Sequence, residues 1–360
     1  MIEELRLGTR GSQLALWQAN TVAARIAESG GPPCRIVVIK TSGDRLQDAP
    51  LSEVGGKRLF VKEIEDALLR NDIDLAVHSS KDMPAVLPDS LAIAGVLPRE
   101  DPLDAVVLPV RADGSGLMAE KTISDDHQPS TIPPAISPQP SAMTIENLVA
   151  RLGQSPSIGT GSVRRTAQLT RIFPGARFTP IRGNLDTRLR KLDGTARGPA
   201  DQPSVDALVL ASAGLRRLGF ASRISFALPV AVCVPAPGQG IVAIEIRDGD
   251  DEVRRAVRRI TDAAAEDALE AERAVVAALG GGCQTPVGAL ASIVEREVID
   301  LTAVVIALDG SRAVRATARG PRSDARGIGA RVGAQLLGDG ADAILSEARH
   351  AQGAVEGIQP

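Results

Sequence analysis

Leu5-Arg6-Leu7-Gly8-Thr9-Arg10-Gly11-Ser12-Gln13-Leu14-Ala15-Leu16 opens the chain with an apolar run, a turn of small residues and a serine placed to cap a helix. The run reads as a buried strand, and Ser12 then starts a helix on which Leu16, Ala19, Val22, Ala23 and Ile26 share one face. Strand followed by helix is the first unit of an α/β fold, and the unit recurs. Strands are predicted at 35–40, 74–77, 91–96 and 105–108, with a helix over 60–70 that aligns Phe60, Ile64, Ala67 and Leu68. The pattern then begins again: a strand at 157–159, a helix from Ser162, a strand at 177–181, a helix from Asn184 and a strand at 207–210. Two such series imply two similar α/β domains side by side, with the ligand between them.

Two polar stretches interrupt the series, 111–141 with its Pro- and Ser-rich core, and the shorter 193–204. Neither carries enough apolar surface to offset the entropy of ordering, so the longer one is expected to be a surface insertion. After Gly240 the chain gives one more strand at 241–247 and charged helices over 250–279. The tail changes character. Alternating segments at 289–293, 298–307 and 312–318, a turn at Asp309-Gly310 and a helix over 323–337 predict a small antiparallel sheet with a helical cover. The expected domains are therefore 1–107 with 241–260, 108–240, and an α+β domain over 261–360.

Composition narrows the function. Three widely spaced cysteines, Cys34, Cys233 and Cys283, argue against a disulfide framework or a metal clip, and the three histidines show no metal-binding spacing. An acidic start without a basic-then-apolar leader, and no apolar run of spanning length, predict a cytoplasmic protein with no membrane partner. A net charge of −3 and the absence of tyrosine argue against nucleic-acid binding.

The chemistry gathers at the turns. Thr9-Arg10-Gly11-Ser12 joins strand to helix, where free backbone N–H groups favour anions. Taken alone, Arg10 reads as a solvated arginine. Gly159-Thr160-Gly161-Ser162-Val163-Arg164-Arg165 repeats the arrangement with two cations in the first helical turn, where they oppose the helix dipole. Arg182-Gly183-Asn184-Leu185-Asp186-Thr187-Arg188 comes after the next strand in the same way, and three such turns imply a polyanionic ligand. The arginine fork suits carboxylate as well as phosphate, and neither a Walker lysine pattern nor GxGxxG is present to favour nucleotide phosphate. His78-Ser79-Ser80-Lys81-Asp82-Met83-Pro84 adds a base, an acid and hydroxyls in one turn. Cys283, in Gly280-Gly281-Gly282-Cys283-Gln284-Thr285-Pro286, is flanked by glycines that would present its thiol rather than screen it.

These blocks, in this order, resemble the porphobilinogen deaminase (hydroxymethylbilane synthase) family. Further blocks extend the resemblance over nearly the whole chain: Val54-Gly55-Gly56-Lys57-Arg58-Leu59-Phe60, Ala213-Gly214-Leu215-Arg216-Arg217-Leu218 and Pro237-Gly238-Gln239-Gly240. The resemblance implies two periplasmic-binding-protein-like α/β domains around a central cleft, plus a small C-terminal α+β domain. It implies head-to-tail condensation of four porphobilinogen molecules with loss of ammonia, then hydrolysis to hydroxymethylbilane. It also implies a covalent dipyrromethane cofactor held by a thioether to Cys283, with Asp82 as the catalytic carboxylate steadying the azafulvenium cation. Ser12, Lys57, Ser79, Lys81, Thr160, Ser162, Arg164, Arg165 and Arg188 match cofactor-binding positions, and Arg10, Arg182 and Arg217 match positions that handle substrate or growing chain. A monomer is implied, handing its product to uroporphyrinogen-III synthase. The chain departs from the family pattern at Glu53, where a basic residue is common, at Arg58, where a glycine is common, and in the length of the 111–141 insertion.

Overall fold

The computed structural model describes residues 2–41, 61–110, 144–194, 205–280 and 285–356. The 111–141 insertion, residues 195–204, Glu53, Lys57, Arg58 and Cys283 lie outside them. The chain runs β1 (Leu5–Thr9), α1 (Gln13–Glu28), β2 (Cys34–Val38), α2 (Lys62–Leu69), β3 (Leu75–Ser79), β4 (Leu91–Val96) and β5 (Asp104–Val107). It continues through α3 (Ile145–Leu152), β6 (Ser157–Gly159), α4 (Val163–Thr170), β7 (Arg177–Thr179), α5 (Leu185–Leu192), β8 (Ala207–Ala211), α6 (Ser212–Arg217) and β9 (Phe226–Ala227). After β10 (Val242–Arg247), α7 (Asp251–Arg258) and α8 (Ala263–Ala278) come β11 (Val287–Val294), β12 (Val298–Ile306), β13 (Ala313–Pro321), α9 (Ala325–Gly338) and α10 (Ala341–Glu356).

Two mixed sheets share one plan, ordered β2-β1-β3-β10-β4 and β7-β6-β8-β5-β9. In each, three parallel strands are joined by an antiparallel one supplied by the other half of the chain: β10 lies between β3 and β4, and β5 between β8 and β9. The parallel strands are apolar because helices cover both faces. In the first sheet Leu5, Leu7 and Leu75 pack with Ala19, Val22 and Ile26 of α1 and Val253 and Val257 of α7, while Ile64 and Leu68 of α2 pack with Ala76 beneath the other face. Ser12 caps α1, its Oγ accepting from the Ala15 N–H at 3.2 Å.

This exchange of strands corrects one boundary. The sequence pattern ends the first domain at residue 107, but β5 pairs Asp104 with Ala211 and Ala105 with Ala227, inside the second sheet. Alternating burial gives a strand's location along the chain, not its partner. Two linkers therefore cross between the domains, and they bond to each other: Leu97 N–H donates to the Val242 carbonyl and Glu100 N–H to the Gly240 carbonyl, both at 3.0 Å. Gly238 and Gly240 have φ of +73° and +87°. A Cβ there would strike the Ser80 hydroxyl or the Glu100 carbonyl, so the linker needs glycine at both.

The C-terminal domain is the antiparallel sheet β11-β12-β13, with Ile299, Leu301, Ala303 and Val305 packed against Val275 of α8 and Ile328, Val332 and Leu336 of α9. The sequence pattern does not single out α3, α6 or α10. α6 has six residues, too few for a periodicity to show, whereas Ala341, Ile344, Leu345 and Ala348 of α10 form a buried stripe at helical spacing. Among the described residues no helix is long and apolar enough to cross a membrane.

Candidate active site

β3 ends at Ser79 and the chain turns at once through a single 3₁₀ turn, Ser80–Asp82. That turn is pinned from behind. Ser80 N–H donates to the Ile241 carbonyl at 3.0 Å, the Ser79 hydroxyl lies 2.9 Å from Gln18 Nε2, and His78 Nε2 lies 2.9 Å from Glu245 Oε2, with both of the latter side chains buried. Asp82 is thereby set on the wall of a cavity of about 80 Å³, together with Arg10, Ser12, Gln18, His78 and Ser79. The turn after β1 and the turn after β3 thus meet at one place.

The corresponding turn of the second domain is arranged otherwise. Arg164 and Arg165, in the first turn of α4, are 4% and 7% exposed and point inward onto Asp104, which is fully buried. Arg164 Nη1 donates to Asp104 Oδ2 and to the Val234 carbonyl, each at 2.7 Å. Arg165 reaches Asp104 Oδ1 through Nε at 2.9 Å and Nη2 at 2.8 Å, and Nη1 donates to the Val209 carbonyl at 2.9 Å. Asp104 is why two cations are tolerated at a helix start, where the dipole opposes them. Burial alone would raise its carboxyl, but the two arginines and the hydrogen bonds from Arg164 and Gln239 outweigh that and hold it well below the usual carboxylate range. Ser162 sits at the N-cap of α4 without making the side-chain cap bond, and Thr160 Oγ1 accepts instead from the Ser162 N–H at 3.3 Å.

The two turns are one electrostatic unit. Burial lowers Lys81 to about 8, with Asp82 and Asp104 acting upward and Arg165 and Arg164 downward. Arg188, whose Nε donates to the Gly183 carbonyl at 2.9 Å, is lowered by burial and by Arg165 and Arg182, and raised by Asp82. Among the described residues, Lys81 and Asp82 of the first domain thus act electrostatically on Arg164, Arg165, Arg188 and Asp104 of the second, with the cations in excess. A buried surplus of positive charge is a site for anions. Among the described residues Arg164 Nε is buried without a hydrogen-bond partner. Arg217 stands apart, at the linker, with Nη2 2.6 Å from the Gly240 carbonyl oxygen.

Sequence reasoning missed the residues that hold this unit together. Gln239, fully buried, donates through Nε2 to the Pro102 carbonyl at 2.7 Å and to Asp104 Oδ1 at 2.9 Å, and its Oε1 accepts from Lys81 Nζ at 3.4 Å. It bridges the Asp82 turn and the arginine turn. Glu272 of α8, also fully buried, pairs with Arg99 of one linker at 2.6 Å and accepts from Gly238 N–H of the other at 2.6 Å and from Ala291 N–H at 2.7 Å, fastening the third domain to the two linkers. An acid opening an apolar strand, as Asp104 does, was the available signal. Lys57 and Cys283 lie outside the described residues, but β11, which follows shortly after residue 283, runs beside Val234, with Ala289 N–H on the Pro235 carbonyl at 3.0 Å. Val234 is the residue whose carbonyl Arg164 binds.

Among the described residues no group of three or more His, Cys, Asp or Glu side chains could hold a metal ion. Residues 5–255 match the family description "Porphobilinogen deaminase, dipyromethane cofactor binding domain", and residues 267–338 match "Porphobilinogen deaminase, C-terminal domain". Among curated relatives, the porphobilinogen deaminase of Geotalea daltonii is 38% identical, covering 96% of this chain and 95% of its own. That of Syntrophotalea carbinolica is 40% identical, covering 95% of each. Among solved structures, an ancestral cationic amino acid solute binding protein aligns at 14% identity over 71% of this chain and 86% of its own, with a TM-score of 0.36, too low to carry an argument. The chain belongs to the porphobilinogen deaminase family.

Proposed function

We propose that the cleft between the two α/β domains is where this member of the porphobilinogen deaminase family joins four porphobilinogen molecules on its dipyrromethane cofactor, with Asp82 as the catalytic carboxylate. Porphobilinogen deaminase activity in tetrapyrrole biosynthesis, with porphobilinogen as substrate and dipyrromethane as cofactor, follows from the family. The residue roles rest mainly on one observation, the buried excess of positive charge shared by the Asp82 turn and the arginine turn.

The cluster fits the cofactor. Dipyrromethane carries an acetate and a propionate on each of two rings, and a cationic site in which, among the described residues, Arg164 Nε has no partner and Ser162 makes no cap bond suits it. Lys57, Lys81, Arg164, Arg165 and Arg188, with the hydroxyls of Ser12, Ser79, Thr160 and Ser162, would hold those carboxylates. When bound, the group supplies the nucleophilic pyrrole carbon on which the chain grows. Cys283 would be the attachment point, a role supported by the resemblance of its glycine-flanked motif, and the other thiols are unsuited to it. Burial pushes Cys233 up to about 12 and Cys34 up to about 11, leaving little thiolate at either.

Asp82, beside Lys81 and on the cavity wall, acts on the substrate. Its carboxylate stabilises the positive charge left on porphobilinogen as ammonia departs, and it takes and returns the protons of each coupling. Arg10, Arg182 and Arg217 receive the carboxylates of incoming substrate and lengthening chain. The monomeric, cytoplasmic state and the hand-over to uroporphyrinogen-III synthase are part of the same proposal, and the three cysteines far apart in sequence support a reducing compartment.

Mass spectra after exposure to porphobilinogen test the division of labour by counting bound pyrroles. Arg164→Leu is expected to accumulate as apo-protein, and Arg182→Leu to carry the primer but stall with incomplete chains. The same ladder of species in both variants would overturn it.

A further inference from the structure

Trp17 is the only tryptophan in the chain and lies on α1, 37% exposed. The guanidinium of Arg217, from α6 of the second domain, stands over its ring at 5.5 Å from the centroid. The two helices face each other across the domain boundary, for a Cβ on Gly214 of α6 would come within 3.8 Å of Leu14 Cδ2 on α1. The neighbouring Arg216 is neutralised conventionally, with Nε 3.2 Å from Asp101 and 4.0 Å from Glu100. Arg217 forms no ion pair with a carboxylate among the described residues. It has a carbonyl oxygen, that of Gly240, and an aromatic face.

The distinction is chemical. A carboxylate such as Asp104 orients an arginine and cancels its charge, whereas a ring face and a carbonyl oxygen orient it and leave the charge available. Burial lowers Arg217 to about 10, partly offset by Glu100, which marks a cation short of compensation.

We infer that Trp17 is a positioning residue for substrate binding, its ring on the first domain fixing the Arg217 guanidinium of the second where it takes up a carboxylate of porphobilinogen or of the growing chain. The inference rests on the role proposed above for Arg217. It also makes the contact a coupling between domains, since ring and guanidinium come from opposite sides of the boundary.

Steady-state kinetics of the holoenzyme test it. Trp17→Leu is expected to raise KM for porphobilinogen about two- to five-fold, the range of a partly exposed cation–π contact, with kcat held, while Trp17→Phe, which keeps a ring, restores most of the affinity. A purely structural Trp17 would lower the melting temperature and leave KM alone, and that result would overturn the inference. Arg217→Leu separates the two readings. If it raises KM while Trp17→Leu does not, the inference fails and the role of Arg217 stands; if it leaves KM unchanged, both fall. The single tryptophan supplies an independent readout. Its emission is expected to change when porphobilinogen is added to the wild-type holoenzyme and not in Arg217→Leu, and equal responses in the two would count against the coupling.

Discussion

In the first domain the turn after β1 sets Arg10 on the wall of an open cavity and uses the Ser12 hydroxyl to cap α1, whereas in the second the turn after β6 buries Arg164 and Arg165 on Asp104 and leaves the cap of α4 unmade. Both turns present small residues, a hydroxyl and arginine between a strand and a helix. What differs is the setting of the arginines. Arg10 lines a cavity, whereas Arg164 and Arg165 are turned inward onto the buried Asp104. Such turns therefore announce themselves by residue type, but the direction in which their arginines point depends on an acid distant in the chain.

The largest expected effect falls on the open side. Asp82→Asn keeps the shape and loses the charge, so turnover should fall about a hundred- to ten-thousand-fold, the usual share of a proton-transferring group, with the circular dichroism spectrum unchanged. Near-normal turnover would make the carboxylate structural.

Next comes the closed side. Asp104→Asn leaves Arg164 and Arg165 buried without their counter-charge and should cost about 3 to 5 kcal/mol in denaturant unfolding. Arg10→Leu, at a partly exposed position on the cavity wall, should cost less than Asp104→Asn, because it leaves no buried pair of like charges behind. Equal losses would erase the contrast between the two turns.

Titration sharpens it further. Lys81 releases its proton at about 8 in the folded apo-protein and at the ordinary lysine value of 10.5 when unfolded. The unfolded state binds more protons between those values, so this group makes stability rise with pH across that window. Lys81→Met should flatten that slope, seen as a smaller difference between unfolding free energies at pH 8 and pH 10. Asp104 has the opposite placement. Its folded value is depressed, so its contribution is present above the ordinary carboxylate range and is lost as pH falls through it and below. An unaltered alkaline slope in Lys81→Met would show that the ammonium is not desolvated.

The smallest effect separates the two serines. Ser12→Ala removes a formed cap and should cost about 1 kcal/mol. Ser162→Ala removes none and should leave unfolding within about 0.5 kcal/mol, yet slow the acquisition of cofactor mass. Equal destabilisation by both would put Ser162 in the cap after all.

Much of this arrangement was legible in the sequence. The strand at 91–96 and the one at 157–159 coincide with β4 and β6, and Ser12, Ser162 and Asn184 all stand at helix N-cap positions, although only Ser12 makes the side-chain cap bond, because periodicity and helix-start residue types are written in neighbouring residues. The place of β5 in the second sheet was not, since its pairing is set by residues more than a hundred positions away. For the same reason the inward turn of Arg164 and Arg165 was hidden. It depends on Asp104, sixty positions earlier, and on Gln239, beyond both.

The central claim is that the positive surplus between the domains holds a dipyrromethane covalently attached at Cys283. Intact-protein mass of the wild-type chain and of Cys283→Ser tests it directly. The wild type should exceed its sequence mass by a dipyrromethane, and the variant, folded, should weigh what its sequence predicts. A wild-type chain at its bare mass that nevertheless condenses porphobilinogen, or a Cys283→Ser chain that keeps the added mass, would contradict the account.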